Sequence, residues 1–228
     1  DIQAMYGDVL NKARYDDGHN YYLNNWYGVD PDPGNGVNMR VDILEQLGYG
    51  DRVASGAPFT QAEFLDLLVE FRREYPQING RPSVAFSSKN YPGFLPLVVS
   101  VLKGMYGMKT YYETDDGLRL EVRDPRYLDL VRFLNGLNPE GLLDPEWATT
   151  NTELFVEKAT SGRVFAFAGG LTAQENDLLK DEFGSDTDKQ FYMFKVTAPG
   201  IDPMETTYGP RSSQGWDGIG ISVTNDNP

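Results

Sequence analysis

Residues suited to catalysis are sparse in this chain. It has one histidine, His19, and no cysteine, so a catalytic triad, a thiol nucleophile or a zinc site with several histidine ligands would lack its partners. Carboxylates are plentiful, and two of them at a fixed separation can cleave a glycosidic bond. Glu153 and Glu157 stand one helical turn apart, which indicates a solvated helix face. The sequence predicts neither an enzyme nor a cofactor.

Metal and nucleotide motifs are incomplete. Asp30-x-Asp32 and Asp186-x-Asp188 are similar to the first ligands of a calcium loop, but neither continues with the spacing and the bidentate glutamate that calcium requires. No glycine-rich phosphate motif follows a predicted strand. The chain carries 34 acidic and 20 basic side chains, for a net charge of -14. Such a surface repels nucleic acid and anionic lipid, so neutral or cationic ligands remain.

Small polar and aromatic residues that follow predicted strands are the better candidates for a binding site. One group follows a predicted strand over 83–86, and another ends a predicted strand over 164–168. In open α/β sheets, ligands bind at the carboxyl ends of strands, where helix N-termini supply amide donors. For Tyr91 and Trp216, stacking on a ligand and burial both stay open, whereas Phe165 is assigned to the core. The candidate ligand-binding residues are Ser87, Ser88, Asn90, Tyr91, Phe94, Phe167, Gly169, Gly170 and Trp216.

The elements that must position these residues alternate between strands and helices. Apolar residues predict a short helix over 38–47, and Thr60 with Glu63 forms a capping box at the start of a second helix. Asp116-Gly117 predicts a hairpin over 109–122. Further helices are expected from Pro125 to Gly136, over 152–160 and over 172–183, and late strands over 190–196 and 218–223. This order predicts an α/β fold with helices on both sides of a sheet.

Several stretches of the chain, in this order, resemble a known family. The family is that of the extracellular solute-binding proteins of bacterial ABC importers, in particular the carbohydrate-binding group typified by maltose-binding protein and the lipoproteins of polysaccharide-uptake loci. The similar stretches are D-D-G-H-N-Y-Y-L (16–23), V-N-M-R-V-D-I-L-E-Q-L-G (37–48), P-F-T-Q-A-E-F-L-D-L-L (58–68), L-N-P-E-G-L-L-D-P-E (137–146), E-K-A-T-S-G-R-V-F-A-F-A-G (157–169) and G-W-D-G-I-G-I-S (215–222).

The resemblance implies a periplasmic-binding-protein-like fold of type II, of which this chain would be one lobe with its crossing segments. Residues 1–36 would be a remnant of the first lobe with a crossing segment, 37–205 the second lobe, and 206–228 the returning crossing strand. The first lobe, a signal peptide and a lipid-carrying cysteine would belong to a segment absent from this sequence.

The resemblance also implies a function. The protein would be the substrate-binding component of a bacterial ABC importer, holding an oligosaccharide in an interlobe cleft and delivering it to the membrane permease. It would be an extracellular, cell-surface lipoprotein, or periplasmic in a Gram-negative organism. The alternatives are a carbohydrate-active enzyme and a freestanding surface carbohydrate-binding module.

At residue level, the resemblance places Tyr91 where family members have a tyrosine that stacks on sugar, and Phe94 near a second aromatic position. Many members have a tryptophan after the strand that ends at Ala168, where this sequence has Gly169-Gly170-Leu171. We therefore expect either a bulkier ligand or contacts from backbone amides there, and Trp216 to supply the missing ring.

Overall fold

The structure is a computed structural model that describes residues 2–12, 14–24, 35–88, 94–109, 111–170, 173–208, 218–220, 222 and 224. The chain divides into two compact units. The first unit contains Asp1–Gly34 and Pro210–Pro228, and the second unit contains Asn35–Gly209. The finer division at residues 36 and 205 stays a prediction.

Helices and strands alternate along the described residues. The helices are α1 (Ile2–Tyr6), α2 (Val9–Lys12), α3 (Val41–Gln46), α4 (Gly50–Ser55), α5 (Gln61–Glu74), α6 (Phe94–Leu102), α7 (Pro125–Leu137), α8 (Thr152–Thr160) and α9 (Ala173–Phe183). The strands are β1 (Leu23–Asn24), β2 (Gly36–Arg40), β3 (Phe59–Thr60), β4 (Gln77–Ile78), β5 (Arg81–Pro82), β6 (Val84–Ser88), β7 (Tyr111–Thr114), β8 (Gly117–Leu120), β9 (Val164–Gly169), β10 (Phe191–Phe194), β11 (Val196–Thr197) and β12 (Gly218–Ile219). Short 3-10 helices cover Lys103–Tyr106, Glu121–Arg123 and Pro203–Glu205.

The first unit contains a small two-stranded sheet. In it β1 and β12 pair antiparallel, with Leu23 opposite Ile219. The side chain of His19 lies on the surface beside Asp17. A helix long and apolar enough to cross a membrane is not found in the described residues.

A mixed sheet in the order β10-β2-β9-β6 forms the centre of the second unit. β2 pairs antiparallel with both β10 and β9, and β9 pairs parallel with β6. Every residue of β2, β6 and β9 is buried, as expected of strands covered by helices on both faces. The α/β fold class is therefore confirmed, as are the predicted strands at 83–86 and 164–168.

The helix predicted over 38–47 is wrong in its first part. Gly36–Arg40 is a central strand, and helix α3 begins only at Val41. The alternation of Val37, Met39 and Val41 was the correct signal there, because a strand has a period of two residues. Pairing with β9 and β10 on both sides supplies the backbone hydrogen bonds that fix this segment as a strand.

In the part of the chain that the structure describes, two hydrophobic clusters cover the sheet. The larger one contains residues of α5, α6 and α7, and in it Phe165 stacks on Phe71 with ring centroids 4.9 Å apart. The smaller one contains residues of α8 and α9 together with Val164 and Phe191. The prediction that Phe165 belongs to the core is confirmed. The sheet is thereby held rigidly between two helical layers, which fixes where its strands end.

Local sequence signals set the ends of several helices. The Thr60 hydroxyl accepts from the Glu63 N–H, and the Thr60 N–H donates to the Glu63 carboxylate at 2.7 Å, so the predicted capping box is present at α5. The hydrogen bond from the Thr60 N–H is the main cause that lowers the pKa of Glu63. Asp124 and Asn151 cap α7 and α8, and the predicted hairpin is formed by β7 and β8.

Candidate functional site

The two predicted ligand loops leave neighbouring strands at the same edge of the sheet. β6 and β9 run parallel, with Ser87 opposite Phe167 and Ser88 opposite Ala168. Their carboxyl ends are therefore adjacent. Helix α6 begins six residues after Ser88, and α9 begins four residues after Gly169. This is the arrangement in which open α/β sheets bind ligands.

Ser87 and Ser88, which were predicted to bind a ligand, have hydroxyls that are hydrogen-bonded within the protein. Both side chains are fully buried. The Ser87 hydroxyl donates to Asp144 Oδ2 at 2.7 Å, and the Ser88 hydroxyl donates to the carbonyl of Ala168 at 2.9 Å. These two serines instead fix the end of β6, because each hydroxyl ties the strand to a neighbouring segment.

Phe167 was also predicted to contact a ligand, but its side chain is packed inside the protein. Its ring is fully buried and makes edge-on contacts with Phe155 at 5.1 Å and with Phe191 at 5.0 Å. A ring held between α8 and the sheet is part of the core. The sequence pattern placed Phe167 near the end of a strand where ligands bind. It did not show that the side of the sheet on which the Phe167 ring lies is covered by α8 and α9.

Gly169 is the last residue of β9 and is buried, and Gly170 follows the strand and is half-buried. Gly169 lies opposite Gly36, and the Asn38 amide donates to its carbonyl at 3.1 Å. A Cβ atom at position 169 would lie 3.3 Å from the Phe167 ring, so a larger residue requires this buried ring to shift slightly. Contact of the Gly169 and Gly170 amides with a ligand stays a prediction.

The remaining candidates are not placed by the structure. Asn90, Tyr91 and Trp216 lie outside the described residues, and Phe94 begins α6 without a described side chain. Their roles in stacking on a ligand therefore stay predictions. In the described residues, no group of three or more histidine, cysteine or acidic side chains could hold a metal ion.

A buried ion pair behind β6 was missed by the sequence analysis. Lys158 Nζ donates to both carboxylate oxygens of Asp144, at 2.8 and 2.9 Å, and lies 2.8 Å from the Glu146 carboxylate. Asp144 and Lys158 are almost completely buried, with side chains 0% and 2% exposed. Asp144 also accepts from Ser87 and from the Glu146 N–H. The network therefore joins β6, the turn after α7 and helix α8.

The only sequence signal for this ion pair was a lysine beside apolar neighbours. Lys158 stands next to Ala159 and three residues after Phe155, both on the buried side of α8. A lysine at such a position is almost never fully buried unless it is paired. Its partner Asp144 lies in the turn 142–144, which runs beside β6 through hydrogen bonds to Phe86.

Comparisons with known proteins find structural neighbours only. No protein-family model matches the chain, and no curated protein matches it. A solved structure described as an "HMO binding ABC-transporter associated Solute Binding Protein" from Bifidobacterium longum infantis superposes with a TM-score of 0.61 at 17% sequence identity, covering 92% of this chain and 44% of that chain.

Two further solved structures have the same fold. An ABC-transporter substrate-binding protein from S. pneumoniae, FusA in complex with kestose, has a TM-score of 0.58 at 14% identity and is matched over 40% of its length. Maltose-bound MalE3 from T. maritima has a TM-score of 0.57 at 14% identity and is matched over 44% of its length. They cover 87% and 85% of this chain.

These neighbours define the fold of the chain. It has the α/β fold found in the solute-binding proteins of ABC transporters, as the resemblance predicted. The chain spans less than half the length of these structural neighbours.

Proposed function

We propose that this chain is one lobe, the second, of a bacterial ABC importer's substrate-binding protein, and that it binds a neutral oligosaccharide at the carboxyl ends of β6 and β9. The observation that carries the proposal is the shared fold, which covers 92% of the chain at a TM-score of 0.61. The adjacent ends of β6 and β9 support it, because the loops that follow them start at one edge of a rigid sheet.

The chemistry of the chain favours a neutral sugar. A net charge of -14 disfavours anionic ligands. Aromatic rings such as that of Tyr91 can cover the apolar face of a sugar ring, and polar side chains and backbone amides can bind its hydroxyl groups. Two of the neighbours are described with neutral sugars bound, namely kestose and maltose.

The proposed mechanism is binding without chemistry. In the whole protein, a ligand that contacts two lobes would favour their closed arrangement, and the closed form would be recognised by the permease. We place the protein outside the cytoplasmic membrane, tethered by a lipid or free in the periplasm. The neighbours are solute-binding proteins, which supports a role without catalysis.

The test is a titration of the chain with a panel of neutral oligosaccharides that includes maltose and kestose, followed by nuclear magnetic resonance of the backbone amides. Saturable shifts of Gly169 and Gly170 are expected. One lobe makes only part of the contacts, so sugar concentrations should reach about 10 mM, well above a Kd of ~1 mM. Absence of saturable shifts with every sugar would contradict the proposal.

A pair of tyrosine variants tests the stacking role. Tyr91→Ala should weaken binding at least about tenfold, which corresponds to ~1.4 kcal/mol. Tyr111→Ala is the matched control, because Tyr111 is an exposed tyrosine of the β7–β8 hairpin. Equal affinity in both variants would show that Tyr91 does not stack on the sugar.

A further inference from the structure

A cavity of about 630 Å³ lies in the second unit between α6 and α7. We call it the α6–α7 groove. Its floor and walls are mainly apolar and aromatic, and include Val99 of α6, Tyr127, Val131 and Leu134 of α7, and Trp147. The volume falls within the range of about 300–1,000 Å³ that is typical of small-molecule sites. Of the candidate ligand-binding residues whose side chains the structure describes, none lines it.

The groove is built on rigid elements. Leu130, Leu134 and Leu137 anchor α7 in the larger hydrophobic cluster, which leaves Tyr127 and Val131 at the edge of the core. Trp147 belongs to the turn after Asp144, and its backbone N–H donates to the Asp144 backbone carbonyl at 3.0 Å. Because Asp144 is held by Lys158, the buried ion pair also fixes the position of this turn.

Polar groups on the groove are available for hydrogen bonds. Ser100, Asn135 and Asn138 line it, and their side chains make no hydrogen bond to any residue that the structure describes. The carboxylate of Glu121 also lines it, but this charge is balanced by Lys103, whose Nζ lies 2.7 Å away. The groove thus combines two aromatic rings and an aliphatic wall with uncharged donors and acceptors.

We infer that the α6–α7 groove is a second carbohydrate subsite, which binds one ring of a neutral sugar. Apolar ring faces would pack against Tyr127 and Trp147, and hydroxyl groups would bind the Asn135 and Asn138 amides. An anionic or cationic ligand would find no unbalanced charge in the described lining to pair with it. The identity of the ligand rests on the proposed function, whereas the location of the subsite rests on the groove itself.

Residue-resolved magnetic resonance tests the subsite separately from the strand ends. In a chain with labelled valine and leucine methyl groups, the same panel of neutral sugars should shift the methyl resonances of Val99 and Leu134 in a saturable way. Shifts at Gly169 and Gly170 without shifts at these methyl groups would overturn the subsite and leave the proposed function standing. Shifts at the methyl groups alone would support the subsite and contradict the binding at the strand ends. No shifts at either place would contradict both.

Two substitutions on α7 provide a matched pair. Val131 and Leu128 are both exposed aliphatic residues, 41% and 52% exposed, but only Val131 lines the groove. Val131→Arg should weaken the binding measured at Val99 and Leu134 at least tenfold, while Leu128→Arg should leave it unchanged. The melting temperature should change by the same amount in both variants. Equal affinity in the two variants, or equal loss in both, would overturn the subsite.

Discussion

The buried ion pair of Lys158 and Asp144 makes a quantitative prediction. Lys158→Met removes the cation and leaves a carboxylate that is fully buried, with the Ser87 hydroxyl and the Glu146 N–H as its remaining donors among the described residues. Breaking a buried pair by removing one partner costs about 3–5 kcal/mol, because the remaining charge is no longer compensated. A domain with a stability above about 5 kcal/mol, within the usual range of about 5–15 kcal/mol, would still fold with that loss.

The assay is urea denaturation at pH 7, followed by circular dichroism. The control is Arg132→Met, because the pair of Arg132 and Asp129 is exposed, with side chains 68% and 58% accessible. An exposed pair contributes about 0–1 kcal/mol, so this variant should unfold close to the parent midpoint. If Lys158→Met lowers the free energy of unfolding by less than about 1 kcal/mol, or by no more than Arg132→Met does, the buried pair does not stabilise the fold as the structure indicates.

A double variant separates loss of charge compensation from loss of packing. Lys158→Met with Asp144→Leu replaces the pair by apolar side chains, which removes the uncompensated charge. It should recover part of the stability lost in Lys158→Met. The buried Ser87 hydroxyl then loses its acceptor, which limits the recovery by about 1–3 kcal/mol. A double variant less stable than the single one would contradict this explanation.

Further predictions concern stability and its dependence on pH. The pKa of Glu63 is lowered from its usual 4.5, so the ionised carboxylate should stabilise the fold fully above pH 4.5 and lose this effect as the pH falls below that value. Urea denaturation of the parent and of Glu63→Gln should show a stability difference of about 0.3–1 kcal/mol at pH 7. This difference should shrink on acidification. Gly104→Ala should lower the melting temperature, because its Cβ would lie 2.8–3.0 Å from Tyr208, whereas Gly136→Ala in α7 meets no atom within 4 Å and should raise stability by about 0.5–1 kcal/mol. Tyr208→Phe should cost about 1–3 kcal/mol, because the buried Tyr208 hydroxyl donates to the Val196 carbonyl and accepts from its N–H.

Local signals in the sequence were sufficient to predict many of the helices and strands. The capping box at Thr60, the Asp-Pro start of α7 and the Asp-Gly hairpin each act through neighbouring residues, and the structure contains all three. Strand β2 was not predicted, because a run of apolar residues with mixed spacing satisfies both a helix and a strand. Pairing with β9, more than a hundred residues away, decides between them.

Less of the candidate site could be predicted from the sequence, because its interactions join residues that are far apart along the chain. Ser87 and Asp144 are 57 positions apart, and nothing in either segment indicates the other. The serines were correctly placed at a strand end, but the sequence could not show that their hydroxyls are occupied within the protein. The α6–α7 groove likewise depends on how two helices and a turn pack, which the periodicity of each helix does not specify.

The central claim is that the chain binds a neutral oligosaccharide and does not convert it. The most direct measurement is a titration with the sugar panel that follows intrinsic tryptophan fluorescence, together with chromatography of the sugar recovered from each sample. We expect a saturable change in fluorescence and complete recovery of the unchanged sugar. Release of shorter sugars in proportion to the amount of protein, or no saturable change with any sugar, would contradict the account.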